Sequence, residues 1–281
     1  MREERENRKK AEIHPHNRLN DLDGAAWLFF TKSVISTAYN STYGHKLRRR
    51  HGANKPPQLM RELIEFFTKP GESILDPFAG VGGTLIGASI CRPLRRAIGI
   101  EINPEWLDIY HRVCEQEELV EQETICDDCR IAMAAMPDES FDFIATDPPY
   151  SIHLPKTMCH RNFEWATRRS DYNMRSEEEG DLANLKSYSD FLKAMSEMLA
   201  HCRRLLRCGR YMALIVRNSY QDGRYIMVHA DLAARAAEAG LILKGEKVWY
   251  QAGSKLRPYG YPHVYVPNIA HQHILILRRE D

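Results

Sequence analysis

The chain has 281 residues, enough for one large α/β domain or one domain with a small appendage. Its 43% hydrophobic and 27% charged residues exclude the disordered and fibrous classes, and no apolar run approaches the ~20 residues of a membrane span. A formal net charge of +1 excludes a globally basic binder, so a phosphate-rich partner would have to meet local clusters such as KLRRRH (46–51), RPLRR (92–96) and RRLLR (203–207). Taken singly, each of those reads as a solvated face.

In chain order, residues 1–18 are charged throughout and read as an arm, neither a signal peptide nor an anchor. Residues 24–39 place Trp27, Phe30, Val34 and Ile35 at helical spacing, which predicts an additional amphipathic helix. From residue 73 strands and helices alternate. SILDPF (73–78) reads as a strand, GTLIGASIC (83–91) as a helix, RAIGIEI (96–102) as a strand, and PEWLDIYHRVCEQ (104–116) as a helix with proline in its first turn. ETICDD (123–128) and FDFIAT (141–146) are further strands. Helical spacing of Tyr188, Phe191, Leu192, Met195, Met198, Leu199, Cys202 and Leu206 predicts a helix within 186–206. GRYMALIV (209–216) is a strand, VHADLAARAAEAG (228–240) a helix closed by Gly240, and ILKGEKVWY (242–250) and HILILRR (273–279) the last two strands.

This rhythm predicts a mostly parallel, doubly wound sheet, whose ligands lie outside the carboxyl ends of its strands. Asp76, Glu101, Asp128 and Asp147 each follow one of those strand ends. LDPFAGVGGTLIGA (75–88) is a glycine-rich turn in which Gly80, Gly82 and Gly83 allow close backbone approach. It is neither G-x-G-x-x-G nor a Walker loop, and Asp76 within it opposes a pyrophosphate and suits a cation, such as the ammonium of a methionine moiety. Glu101 is positioned to accept hydrogen bonds from both hydroxyls of a ribose, and Asp128 to take the exocyclic amino group of an adenine.

LDPFAG, GIEINPEW and TDPPY, in this order, resemble the S-adenosylmethionine-dependent DNA methyltransferases that modify exocyclic amino groups. The resemblance covers about residues 45–281 and includes KPPQLMRELIEFF (55–67), similar to a family segment packed beside the methionine end of the cofactor. It implies a Rossmann-like sheet of seven strands, mostly parallel, with the last strand inserted antiparallel. It also implies an arm and extra helix over 1–45 and a catalytic domain over 46–281. For S-adenosylmethionine it implies contacts from Lys55, Pro56, Asp76, Phe78, Gly80, Gly82 and Thr84, with Glu101 at the ribose and Asp128 at the adenine. Cys126 and Asp127 stand where the family usually has glycine.

In that setting Asp147, Pro148, Pro149 and Tyr150 form the catalytic motif. A conjugated amine is a poor nucleophile. Acceptors for both of its protons, the Asp147 carboxylate and the Pro148 carbonyl, return density to its lone pair. Proline fixes φ and removes N–H donors, and Tyr150 offers a stacking face for a base flipped out of a duplex. Aspartate at this position favours adenine N6 over cytosine N4, where family members more often carry serine. A cytosine-C5 enzyme is opposed by the lack of any cysteine following a proline.

Residues 151–186 interleave Lys156, Arg161, Arg168 and Arg169 with aromatic side chains, and residues 251–267 are rich in aromatics, glycine and proline. Both are candidate DNA-facing loops, as in a restriction-modification methylase. The seven cysteines (91, 114, 126, 129, 159, 202, 208) form no disulfide framework, and the single C-x-x-C at 126–129 lacks a partner at zinc-site spacing, so no metal is expected. Reduced thiols and the charged N-terminus predict a cytoplasmic protein, and self-association as a homodimer stays open. Two other functions also stay open: a tRNA guanine-N2 methyltransferase, which shares DPF-x-G-x-GG and DPPY, and a non-catalytic nucleic-acid-binding partner with the same fold.

Overall fold

The computed structural model describes residues 12–40, 42–52, 54–149, 180–185 and 187–281. Its first elements are helix α1 (Gly24–Phe30), strand β1 (Val34–Ile35), and helices α2 (His45–Arg48) and α3 (Pro57–Phe67). The alternating part follows as β2 (Ser73–Asp76), α4 (Gly83–Ser89), β3 (Arg96–Glu101), α5 (Pro104–Gln116), β4 (Glu123–Cys126), α6 (Cys129–Ala135) and β5 (Phe141–Thr146). After a single 3-10 turn at Leu182–Asn184 come α7 (Tyr188–Leu205), β6 (Leu206–Val216), the short strands β7 (Ser219–Gln221) and β8 (Arg224–Ile226), α8 (Val228–Glu238), β9 (Ile242–Tyr250) and β10 (His271–Arg278).

Among the described residues one eight-stranded sheet runs in the order β1-β9-β10-β6-β5-β2-β3-β4. Its pairs are parallel except those of β10, which lies antiparallel between β6 and β9. The seven expected strands are therefore present with the last one inserted, and two-residue β1 adds an eighth at the edge. Chain order runs outward from β2 through β3 and β4 on one side, while β5 and β6 lie on the other, so the switch point falls between β2 and β5, where Ile74 pairs with Phe143 and Leu75 with Ile144.

Alternation along the strands divides the core between the two faces of the sheet. Ile74, Phe143, Ala145 and Ile215 pack with α3, α4 and α5, and the Phe67 ring stacks on Phe143 at 5.1 Å. Leu75, Ile144, Met212 and Leu214 point the other way, onto Met133 of α6, Phe191 and Met195 of α7, and Leu232 of α8. Ile274 to Leu277 of β10 are all buried, the continuous apolar run of a strand covered on both faces.

The N-terminal helix is shorter than its periodicity predicts. It ends at Phe30, and the β-branched pair Val34–Ile35 is extended against Val248 and Trp249 of β9. The buried ammonium of Lys247 donates to the Phe30 and Lys32 carbonyls, satisfying groups a continued helix would have used internally. Trp27 and Phe30 do pack, on Phe66 of α3, whereas Val34 is exposed.

Candidate active site

Strand β2 ends at Asp76, whose buried carboxylate accepts from three directions: the Phe78 amide at 3.0 Å, the Thr84 hydroxyl at 2.5 Å and the Thr146 hydroxyl at 2.7 Å. It thereby ties the end of β2 to the first turn of α4 and the end of β5. Burial pushes its carboxyl up to about 6, against the pull of those hydrogen bonds. The following turn is left-handed at Gly80 (φ 52°) and Gly82 (φ 75°), and a Cβ at Gly82 would stand 2.1 Å from the Tyr110 ring. No side chain fits there.

Glu101, at the end of β3, accepts from the Gly80 amide at 2.8 Å through Oε2 and from the Asn103 amide at 2.9 Å through Oε1. Each oxygen keeps a lone pair for a further donor. Burial pushes this carboxyl up to about 7, despite those two backbone hydrogen bonds. Asp128 follows β4 and caps α6, accepting from the Arg130 amide at 2.8 Å, while the Arg130 guanidinium grips both carboxylate oxygens at 3.1 and 2.6 Å. Burial alone would raise its pKa, but Arg130 holds it below the usual carboxylate range. Much of its accepting capacity is already committed.

Asp147 follows β5. Its Oδ2 accepts a charge-assisted hydrogen bond from Lys55, and its Oδ1 is buried without a partner among the described residues. Burial pushes this carboxyl up and Lys55 opposes the shift. Lys55 precedes Pro56 and the start of α3. Its backbone carbonyl accepts from the buried Arg48 guanidinium at 2.8 Å, which also donates to the Val81 carbonyl at 3.2 Å. Arg48 therefore binds the lysine segment to the glycine turn.

One cleft of about 1050 Å³, counting its space open to solvent, joins these groups, a size suited to a nucleoside ligand. Of the expected cofactor residues, Lys55, Asp76, Phe78, Gly80, Thr84, Glu101 and Asp128 line it, together with Asp147, Pro148 and Pro149. Pro56 and Gly82 are not among its lining residues; they stand as the N-caps of α3 and α4. His51, Asn54, Trp106 and Asp181 also line it and were not singled out by sequence. Tyr150, Lys156, Arg161, Arg168 and Arg169 lie outside the described residues. The segment 251–267 follows the carboxyl end of β9, at the same sheet edge, and exposes Leu256, Tyr261, Val264 and Tyr265.

A second polar cluster unites His229, Glu246 and His273, whose candidate ligand atoms lie within 4.8 Å of one another. The two imidazoles stack in parallel at 3.8 Å, so a single ion cannot lie in the plane of both. Asn218 bridges them, at 2.8 Å to His229 Nδ1 and 3.1 Å to His273 Nε2, and Glu246 takes His273 Nδ1. As arranged, this is a closed hydrogen-bond network.

The sheet order gives the chain a Rossmann-like methyltransferase fold. Residues 2–112 match the family model described as DNA methylase, of N6 and N4 methyltransferases. Residues 62–165 also match a model described as conserved hypothetical protein 95. The type II methyltransferase M.Cfr9I of Citrobacter freundii is 44% identical over 59 residues, 21% of this chain and 19% of the relative. The tRNA (guanine(10)-N2)-dimethyltransferase of Methanothermobacter thermautotrophicus is 32% identical over 122 residues, 43% of this chain and 35% of the relative. These alignments span between about a fifth and a third of the curated relatives' lengths. The crystal structure of TrmN from Thermus thermophilus superimposes with a TM-score of 0.50 at 17% identity, covering 79% of this chain and 48% of that one.

Proposed function

We propose that the chain methylates an exocyclic amino group of a flipped base in DNA, adenine N6 in preference to cytosine N4. One observation carries the reading: Asp147 Oδ1 is a buried carboxylate oxygen without a partner among the described residues, in the lining of the cofactor-sized cleft. A buried acceptor without a donor costs about 1–3 kcal/mol, which supports a donor supplied by a bound ligand. An amino group is such a donor.

The residues of the cleft fit S-adenosylmethionine. Glu101 keeps one lone pair on each oxygen for the ribose hydroxyls, and the Gly80–Gly82 turn leaves room for a close ligand. Asp76, nearly saturated by Thr84 and Thr146, contributes negative potential and one remaining Oδ2 lone pair toward an ammonium. Asp128, or Asp127 beside it, faces the adenine end. When bound, the cofactor supplies an electrophilic methyl group on a cationic sulfur. Asp147 Oδ1 and the Pro148 carbonyl then accept the two amino protons of the target and turn its lone pair outward. Lys55 favours the ionised form of Asp147 against the burial that raises its pKa, and Asp147 can afterwards hold the proton the amine must lose. No covalent enzyme intermediate is required.

The test is incubation with methyl-labelled cofactor and mixed-sequence DNA, followed by nucleoside mass spectrometry. N6-methyladenine is expected; N4-methylcytosine alone would shift the assignment to the other base. A second reading, methylation of guanine N2 in tRNA, is favoured by the similarity to the tRNA (guanine(10)-N2)-dimethyltransferase of Methanothermobacter thermautotrophicus. Label in tRNA with none in DNA would establish it.

A further inference from the structure

His51 stands in the wall of the cleft, on the short segment between α2 and α3 that also contributes Asn54 and Lys55. Its ring meets Trp106 edge to face at 4.9 Å and 82°. Across from it lies the glycine turn: a Cβ built on Gly80 would come within 3.4 Å of His51 Nε2 and 3.6 Å of Cε1. The ring is thus held by packing on one side and faces the cofactor turn on the other. Its Nδ1 is buried and has no hydrogen-bond partner among the described residues. A packing role alone would be served by an apolar ring, without leaving a buried nitrogen unpaired.

The charge on this ring is also determined by its surroundings. Burial, with the cations Lys55 and Arg48 nearby, pulls the imidazole down to about 4, so it is neutral at pH 7. A neutral ring is what a cleft for a cationic ligand requires. Asp76, Glu101 and Asp147 attract the cation, and an imidazolium in the same lining would offset that attraction.

We propose that His51 is a recognition residue of this cleft, offering the bound cofactor one hydrogen bond. The inference rests on reading the cleft as the S-adenosylmethionine site.

The test is calorimetric titration of the full chain with S-adenosylmethionine and, separately, with S-adenosylhomocysteine, its uncharged thioether counterpart. His51→Phe keeps the ring against Trp106 and removes both nitrogens. It is expected to weaken both ligands about tenfold, with an unchanged melting temperature in their absence. His51→Asn should recover part of the loss. His51→Lys should weaken the sulfonium ligand several-fold more than the thioether. Because that ratio is taken within one variant, any general loss of folded protein cancels from it. Wild-type affinities in His51→Phe would overturn the hydrogen bond, and an unchanged ratio in His51→Lys would overturn the role of neutrality. If the wild-type chain binds neither ligand, the cofactor reading of the cleft itself fails, an outcome distinct from both.

Discussion

Lys55 donates to Asp147 Oδ2 across 92 residues of sequence, and the two side chains are only 6% and 16% exposed. The pair joins the segment before α3 to the end of β5. It divides the Asp147 carboxylate into one oxygen held by Lys55 and one without a partner among the described residues. An acceptor held in this way keeps its direction.

Asp147→Asn retains an acceptor and removes the charge. Single-turnover methyl transfer should fall by about 10²–10⁴-fold, while the dissociation constant for S-adenosylmethionine stays near that of the wild type. Undiminished transfer by this variant would remove the proposed mechanism.

Lys55→Met takes away the interaction that lowers the Asp147 pKa and leaves the burial that raises it. The ionised carboxylate is then reached only at higher pH. The acid limb of the rate-versus-pH curve should move upward relative to the wild type, and a curve that does not move would separate Lys55 from the ionisation of Asp147.

Burial holds Glu101 near 7 and Asp76 near 6, above the value of about 4 for an exposed carboxylate. A carboxyl raised on folding favours the native state at low pH. That contribution declines as pH climbs from about 4 through the folded values, because the unfolded chain ionises first. The unliganded protein should therefore lose stability through these two groups between pH 4 and pH 7. A ligand that hydrogen-bonds the ionised carboxylates should bind more tightly at pH 8 than at pH 6, with proton release. Titration calorimetry in buffers of different ionisation enthalpy measures that release directly.

Gly82→Ala asks a left-handed residue to carry a Cβ 2.1 Å from Tyr110 Cδ2. Left-handed strain and overpacking together should destabilise the fold by roughly 2–5 kcal/mol, read by urea denaturation.

Tyr261 and Tyr265 are 78% and 84% exposed at the sheet edge that carries the cleft. Replacing both by serine should change stability by less than about 0.5 kcal/mol each. It should raise the KM for DNA several-fold and leave cofactor affinity unchanged. An unaltered KM would remove this loop from the nucleic-acid interface.

Much of the fold was legible where local chemistry governs. Pro104 in the first turn and Asn103 as cap mark the start of α5, and its span agrees with the sequence reading at both ends. The same holds for β5 and β9, apolar or β-branched runs bounded by polar residues. Other elements were missed for physical reasons. Asp128 reads as the continuation of a strand, but its side chain caps the seven-residue α6, which is too short to show a periodicity. The β7–β8 hairpin turns at Asp222–Gly223, both left-handed, a signal present in the chain and not taken up.

By itself the sequence determined the alternation of elements, the acidic residues at the strand ends and the glycine turn. Each of these follows from spacing of a few residues and from backbone sterics. Only the tertiary structure decided how those groups are used. Lys247 ends α1 from a position 217 residues away, Arg48 binds the lysine segment to the glycine turn, and His51 meets Trp106 and Gly80. Such partners are set by which strands neighbour β2 in the sheet, and crossover connections bring together residues whose separation along the chain carries no local signal.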